Sequence, residues 1–165
     1  MLVTFYSRTG STEKLALAAA VGAVQGRALI RLRRLPDLDA PRTLEEFPDH
    51  RETLQRMHRE YVAPAEADIL RADALILAAP PGFSASSAEW AGYLDMLGRL
   101  ASSGALTGKV AAVVETGDES TLRSFSARLS EIGLAVVPSA SLDARALGYK
   151  VAAAAGKDQK ASPID

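Results

Sequence analysis

Four short apolar runs, at residues 2–6, 74–79, 110–114 and 134–137, recur along the chain with longer amphipathic segments between them. A run such as Ala74-Leu75-Ile76-Leu77-Ala78-Ala79 has no polar position at a period of two. It reads as a strand buried on both faces, the kind found in parallel sheets covered by helices on each side. A further run at 28–35 sets Leu29 or Ile30 against Arg31, Arg33 and Arg34, as a half-exposed edge strand does. Strands alternating with helices predict a three-layer, doubly wound α/β domain with a five-stranded parallel sheet.

The intervening segments fit that plan. Ser11–Gln25 is expected to be a helix whose small residues, Ala18, Ala19, Gly22 and Ala23, let it lie close to a sheet. Residues 87–102 carry Trp90, Leu94, Leu97 and Ala101 on one stripe. Leu122, Phe125, Leu129 and Ile132 do the same in the next helix, which Gly133 is placed to end. Short helices are expected at 50–61 and 65–71, and a last one at 143–155. Residues 36–48, with three prolines and many acids, read as a loop. The expected organisation is one domain over 1–155, with an insertion at about 36–62 and a frayed tail at 156–165.

Composition narrows the function. With 165 residues, 48% of them hydrophobic, the chain can bury a real core. Its net charge of -1 offers no sequence-wide basic field for nucleic acid. It has no cysteine, which removes disulfides, thiolate metal sites and cysteine nucleophiles and fits a reducing compartment. The two histidines, His50 and His58, lie in a charged stretch and read as solvent-exposed, so no metal is expected. No basic leader precedes Leu2, and no apolar stretch is long enough to span a membrane; a cytoplasmic protein is expected.

In an open parallel sheet, ligands bind beyond the carboxyl ends of the strands. Three loops follow buried strands here: 7–12 (Ser-Arg-Thr-Gly-Ser-Thr), 80–87 and 115–120. The first opens a helix, so unpaired N–H groups, the positive end of the helix dipole and the hydroxyls of Ser7, Thr9, Ser11 and Thr12 meet in one place. Gly10 frees the backbone to approach a phosphate. No Gly-Lys-Ser/Thr follows and no G-x-G-x-x-G is present, which disfavours a magnesium-nucleotide site and a dinucleotide fingerprint. In the second loop Phe83, beside Pro80, Pro81 and Gly82, is placed to lie along a planar ring. In the third, Thr116 and Gly117 are placed to contact a ring edge. Each loop also has a purely structural reading: Ser11 or Thr12 as a helix cap, Phe83 as a core residue, Asp118 or Ser120 as a cap. Acid–base machinery is sparse, for no histidine lies near these loops and Glu115 has no evident partner. A phosphate cradle without such machinery suggests that a bound cofactor carries the chemistry.

The segment FYSRTGSTEKLA resembles the flavin-phosphate loop of flavodoxins, with its pattern S/T-x-T-G-x-T. The stretch ADALILAAPPGFSASSAEWAGYLDMLGRLASSGALTGKVAAVVETG is similar to the middle of the flavodoxin-like NAD(P)H:quinone oxidoreductases of the WrbA type and the related NADPH-dependent FMN reductases. The resemblance extends over most of the chain. It implies the flavodoxin strand order 2-1-3-4-5, non-covalent FMN, NADH or NADPH as electron donor, a small acceptor such as a quinone, and a homo-dimer or tetramer. By position, Ser7, Arg8, Thr9, Gly10, Ser11 and Thr12 would hold the FMN phosphate. Pro80, Pro81, Gly82, Phe83 and Ser84 would flank the ribityl chain and the ring, and Thr116, Gly117 and Asp118 would line the other side.

This chain departs from that pattern in places. Gly82 stands where the family has Arg, Ser84-Ala85-Ser86 replace Gly-Asn-Met, and Ala101 occupies the position of a tryptophan over the flavin. The third loop is shortened to Asp118-Glu119-Ser120. These losses bear on the quinone pocket and the tetramer contacts more than on the phosphate loop. Three functions stay open from sequence: an FMN-dependent oxidoreductase, a flavodoxin-type electron carrier, and a flavodoxin-like binding module without FMN.

Overall fold

Residues 1–114 and 116–160 are described by the structure, a computed structural model. Five strands form one parallel sheet: β1 (Leu2–Phe5), β2 (Arg31–Arg34), β3 (Ala74–Ala78), β4 (Val110–Val113) and β5 (Ala135–Val136), in the order β2-β1-β3-β4-β5. This is the expected doubly wound arrangement. Register pairs Phe5 with Arg34 on one side and with Ala78 on the other, so the ends of β1, β2 and β3 are level.

Among the described residues, seven α-helices connect and cover the strands: α1 (Ser11–Gln25), α2 (Ala40–Glu46), α3 (Arg51–Glu60), α4 (Glu66–Arg71), α5 (Ala88–Ser102), α6 (Glu119–Ile132) and α7 (Ala144–Lys160). Because side chains alternate along a strand, the central strands feed two cores. Leu2, Leu75, Leu77, Ala111 and Val113 meet Trp90, Leu94 and Leu97 of α5 and Phe125 and Leu129 of α6. Val3, Phe5, Ile76, Ala78 and Ala112 meet Ala16 and Ala19 of α1, Met57 of α3 and Leu147 and Val151 of α7. Trp90 is fully buried, its ring 4.8 Å from Phe125 and 6.2 Å from Tyr93. Gly133 ends α6 at φ 96°, in the left-handed region that glycine favours.

On the α1 side the small residues have a specific use. A Cβ placed on Gly22 would overlap the Arg145 carbonyl of α7, and one on Gly148 would overlap the Ala19 carbonyl of α1. Only hydrogen atoms at these two positions let the helices lie backbone to backbone.

Two expectations are corrected. Residues 36–48 are not all loop, for α2 occupies Ala40–Glu46. The Asp39 carboxylate accepts from the Arg42 N–H at 3.2 Å and caps this helix, and Pro41 sits in its first turn, where no N–H is required. Pro48 then starts a 3-10 turn, Pro48–His50, that leads into α3. The last helix does not stop at residue 155 but continues to Lys160. Residues 161–165 of the expected tail, and Glu115 of the third loop, lie outside the described residues.

The edge strand β2 is tied down by charge. Arg33 donates to the buried Asp68 carboxylate through Nε at 2.8 Å and NH2 at 3.0 Å, Arg31 NH1 donates at 3.0 Å, and the Ala65 N–H adds a fourth bond at 3.1 Å. The Arg33 hydrogen bond is the main reason that the Asp68 carboxyl is held well below the usual carboxylate range. A carboxyl depressed in the folded state stabilises fully above its unfolded pKa of about 4, and the contribution fades as the pH falls below that. We expect Asp68→Asn to cost about 2 kcal/mol at pH 7. The gap from the wild type in urea unfolding should narrow steadily from pH 4 downward.

Candidate functional site

The first post-strand loop leads from β1 into α1 through Gly10, which is the N-cap residue and has φ 88°. No side chain caps this helix end. Neither Ser11 nor Thr12 therefore serves as the cap, and the first-turn N–H groups face outward without a side-chain acceptor. Thr9 Oγ1 and Ser11 Oγ are 3.1 Å apart at the surface and bond to each other. Ser7 is different: it is buried, and its Oγ accepts from the Gly10 N–H at 3.0 Å, which fixes the curl of the loop. Thr12 is buried as well. The exposed donors are thus the helix end, Thr9 and Ser11, while Ser7 and Gly10 shape the cradle.

The second loop turns at once. Phe83 N–H donates to the Pro80 carbonyl at 3.3 Å, with Pro81 and a positive-φ Gly82 (φ 82°) between them, as a type II turn requires. Phe83 is half-buried, neither core nor free, with its ring 5.2 Å from Tyr6. Ser84 Oγ bonds Ser86 Oγ at 2.9 Å, and the Ser84 N–H donates to Ser87 Oγ at 2.9 Å. In the third loop Asp118 caps α6 by accepting from the Ser120 N–H, and its other oxygen accepts from the Gly82 N–H at 2.8 Å and from Thr121 Oγ1 at 2.8 Å. The Gly82 N–H is the main reason that the Asp118 carboxyl is held well below the usual range. Asp118 is therefore a tie between the second and third loops, with its acceptors already in use. Gly117 has φ 85°.

All three loops meet at one end of the sheet. Tyr6 and Arg8 reach Phe83 from the first, and Asp118 reaches Gly82 from the third.

Sequence reasoning left the role of the insertion open. The structure brings it against this site. The Arg8 guanidinium lies 5.0 Å over the Phe47 ring and 5.1 Å over the Phe83 ring, and NH1 donates to Glu46 at 3.2 Å. Glu13, in the first turn of α1, is buried; Arg56 of α3 holds it at 2.6 Å and the Tyr61 hydroxyl at 2.7 Å. Arg56 is the main reason that the Glu13 carboxyl sits below its ordinary value. Burial, then the bond to Glu13, pushes the Tyr61 phenol up to about 12. Tyr6, the last residue before the loop, donates to Asp37 Oδ1 at 3.3 Å. His58 is exposed and His50 half-buried. None of these long-range partners carries a local sequence signal, since each, Phe47 apart, is a charged or polar residue in a polar stretch.

Flavin mononucleotide fits this arrangement on two observations. An uncapped helix end with two exposed hydroxyls suits a phosphate. Thr116 Oγ1, at the facing loop, is buried and has no hydrogen-bond partner among the described residues. A buried hydroxyl of that kind is costly until a ligand edge meets it.

The family model for NADPH-dependent FMN reductase matches residues 4–155. A protein named NAD(P)H dehydrogenase (quinone) from Archaeoglobus fulgidus is 35% identical over 94% of this chain and 85% of its own length. One of the same name from Azorhizobium caulinodans is 32% identical over 83% of this chain and 69% of its own. Among solved structures, a flavodoxin, WrbA-like protein from Agrobacterium tumefaciens superposes with a TM-score of 0.64, at 19% identity, over 95% of this chain and 97% of that one. The Megasphaera elsdenii flavodoxin does so at 0.60 and 16% identity, over 94% and 99%. At such identities the structural likenesses establish the flavodoxin-like fold.

Proposed function

Since the chain belongs to the NADPH-dependent FMN reductase family, we propose that it holds FMN at the carboxyl ends of β1, β3 and β4 and passes electrons from NAD(P)H to a small acceptor of the quinone type. The observation that carries this reading is the uncapped N-terminus of α1 directly after the interior strand β1. Bound there, the flavin supplies the hydride-accepting and electron-donating chemistry. The protein's part is to bind and orient. Thr9, Ser11 and the first-turn N–H groups would take the phosphate, with Ser7 and Gly10 holding the loop curled beneath them. Phe83 would flank the ring on one side, and Thr116 and Gly117 would meet its edge on the other. Asp118 keeps those two sides at a fixed separation through the Gly82 N–H. Arg8, itself in the phosphate loop and over the Phe83 ring of the second loop, would add a positive charge near the phosphate.

The protein is further proposed to be a cytoplasmic homo-oligomer. No described helix is long and apolar enough to cross a membrane, and the absence of cysteine fits a reducing compartment. Leu17, Val21 and Val24 on α1 and Tyr149 on the adjacent α7 are exposed, which supports association of copies.

The test is the visible spectrum of the purified protein, followed by anaerobic addition of NADPH or NADH and then of a benzoquinone. The expected result is a yellow protein that is bleached by one or both nucleotides and recovers its colour on quinone addition. A colourless protein that does not quench FMN fluorescence on titration would overturn the reading. A yellow protein that neither nucleotide bleaches is an electron carrier instead.

A further inference from the structure

A cavity of about 290 Å³ lies beside the strand ends rather than among them, between α2 and α3. Ala40 and Leu44 of α2 and Leu54 of α3 give it apolar walls, His58 and Arg59 stand at its α3 side, and Arg34, the last residue of β2, closes the sheet end. Arg34 is the unusual member. It is 6% exposed. NH2 donates to the Ser7 carbonyl at 3.0 Å, yet Nε has no partner. Among the described residues no carboxylate comes within 4.0 Å of this guanidinium, although Arg31 and Arg33 on the same strand both pair with Asp68. Asp37, also on the cavity wall, accepts from Tyr6 and Thr43 through Oδ1 and makes no hydrogen bond to this guanidinium, so its charge, like that of the buried Glu13, acts on Arg34 only from a distance.

A buried cation without an ion pair is expensive. Fixed donors on a largely apolar wall are the arrangement by which small-ligand pockets orient a charged end. The volume sits at the lower bound of such pockets, roughly 300 Å³, so the ligand is small. We propose that this cavity is a second ligand site, which takes a small organic monocarboxylate with its carboxylate on Arg34 and a single ring or short aliphatic body between Leu44 and Leu54. Arg59 supplies a further positive charge at the cavity, and the net charge of its lining favours an anion. The site stands apart from the flavin loops and does not depend on them, although Arg34 touches the carbonyl of Ser7 from behind the loop.

The probe is benzoate, with benzyl alcohol as the neutral counterpart of similar shape, each titrated into the ¹⁵N-labelled protein as purified and again with FMN added. Saturating shifts at Leu44, Leu54 and the Arg34 Nε–H are expected, with a Kd on the order of 1 mM or tighter. Benzyl alcohol should bind at least about tenfold more weakly. Arg34→Gln should bring benzoate down to the alcohol's affinity. Leu44→Phe, which fills the cavity and leaves the cation in place, should abolish both, so the proposal is still tested if Arg34→Gln does not fold. Equal binding of the two probes, shifts that map elsewhere, or no saturable binding in either sample would each overturn it. FMN uptake is read independently in the second sample, so failure of the flavin reading and failure of this one are told apart.

Discussion

Gly148→Ala is expected to lower the thermal midpoint by about 6–12 °C, the equivalent of roughly 3 kcal/mol in a domain of this size. Alanine is the smallest possible change at this position and the better helix former, so helix propensity alone predicts a gain of about 1 kcal/mol. Geometry outweighs that gain. The added carbon falls on the Ala19 carbonyl, part of the backbone of α1, and no rotamer change relieves the overlap. α7 must move off α1, which uncovers Leu147 and Val151 and loosens Ala16 and Ala19 from the sheet. Gly22→Ala meets the mirror problem against the Arg145 carbonyl and should behave alike. Gly92→Ala in α5 is the control. A carbon there meets nothing within 4 Å, so it should be neutral or stabilise by about 0.5–1 kcal/mol. Circular dichroism melts of the three variants check this; a Gly148→Ala midpoint within about 2 °C of the wild type would mean that the two helices are not in backbone contact.

The second large effect concerns the cofactor. Thr9→Val with Ser11→Ala should weaken FMN by roughly a hundredfold, about 3 kcal/mol for two lost charge-assisted bonds. Riboflavin, which lacks the phosphate, should change by less than about threefold. The two side chains are a clean target because, among the described residues, their hydroxyls bond only each other. Removing both leaves no orphaned partner and should not move the unfolding midpoint. Fluorescence titrations with the two flavins give both affinities in one experiment. Equal losses would show that this loop does not meet the phosphate.

Much of this architecture is legible in the sequence because it is written in local periodicity. The continuous apolar runs announced a parallel sheet, and the stripe Trp90-Leu94-Leu97 announced the buried face of α5. Gly133 announced the end of α6. Where the reading fell short, a residue was used against its average habit. Pro41 marks a helix start rather than a break, because the first turn has no N–H to lose. Asp118 caps α6, as the sequence allowed, and also accepts from the Gly82 N–H of the second loop, a link across loops that local pattern does not show; Ser7 likewise accepts from the Gly10 N–H. Glu13, in the first turn of α1, is 4% exposed and held by Arg56 and Tyr61 from the insertion. The links Arg8–Glu46 and Arg56–Glu13 join residues far apart in the chain. No pattern in one sequence announces such pairs, since each member resembles an ordinary solvated charge.

The backbone contact between α1 and α7 also sets an order of events during synthesis. α1 is synthesised ahead of β3, β4 and β5 and ahead of its partner α7. Until then the Ala16–Ala19 face has only the sheet to lie against, and β1 itself waits for β3. Pairings of such long sequence separation form late and slowly. The nascent chain therefore carries an uncovered apolar flank until α7 has been made, a natural hold for a chaperone.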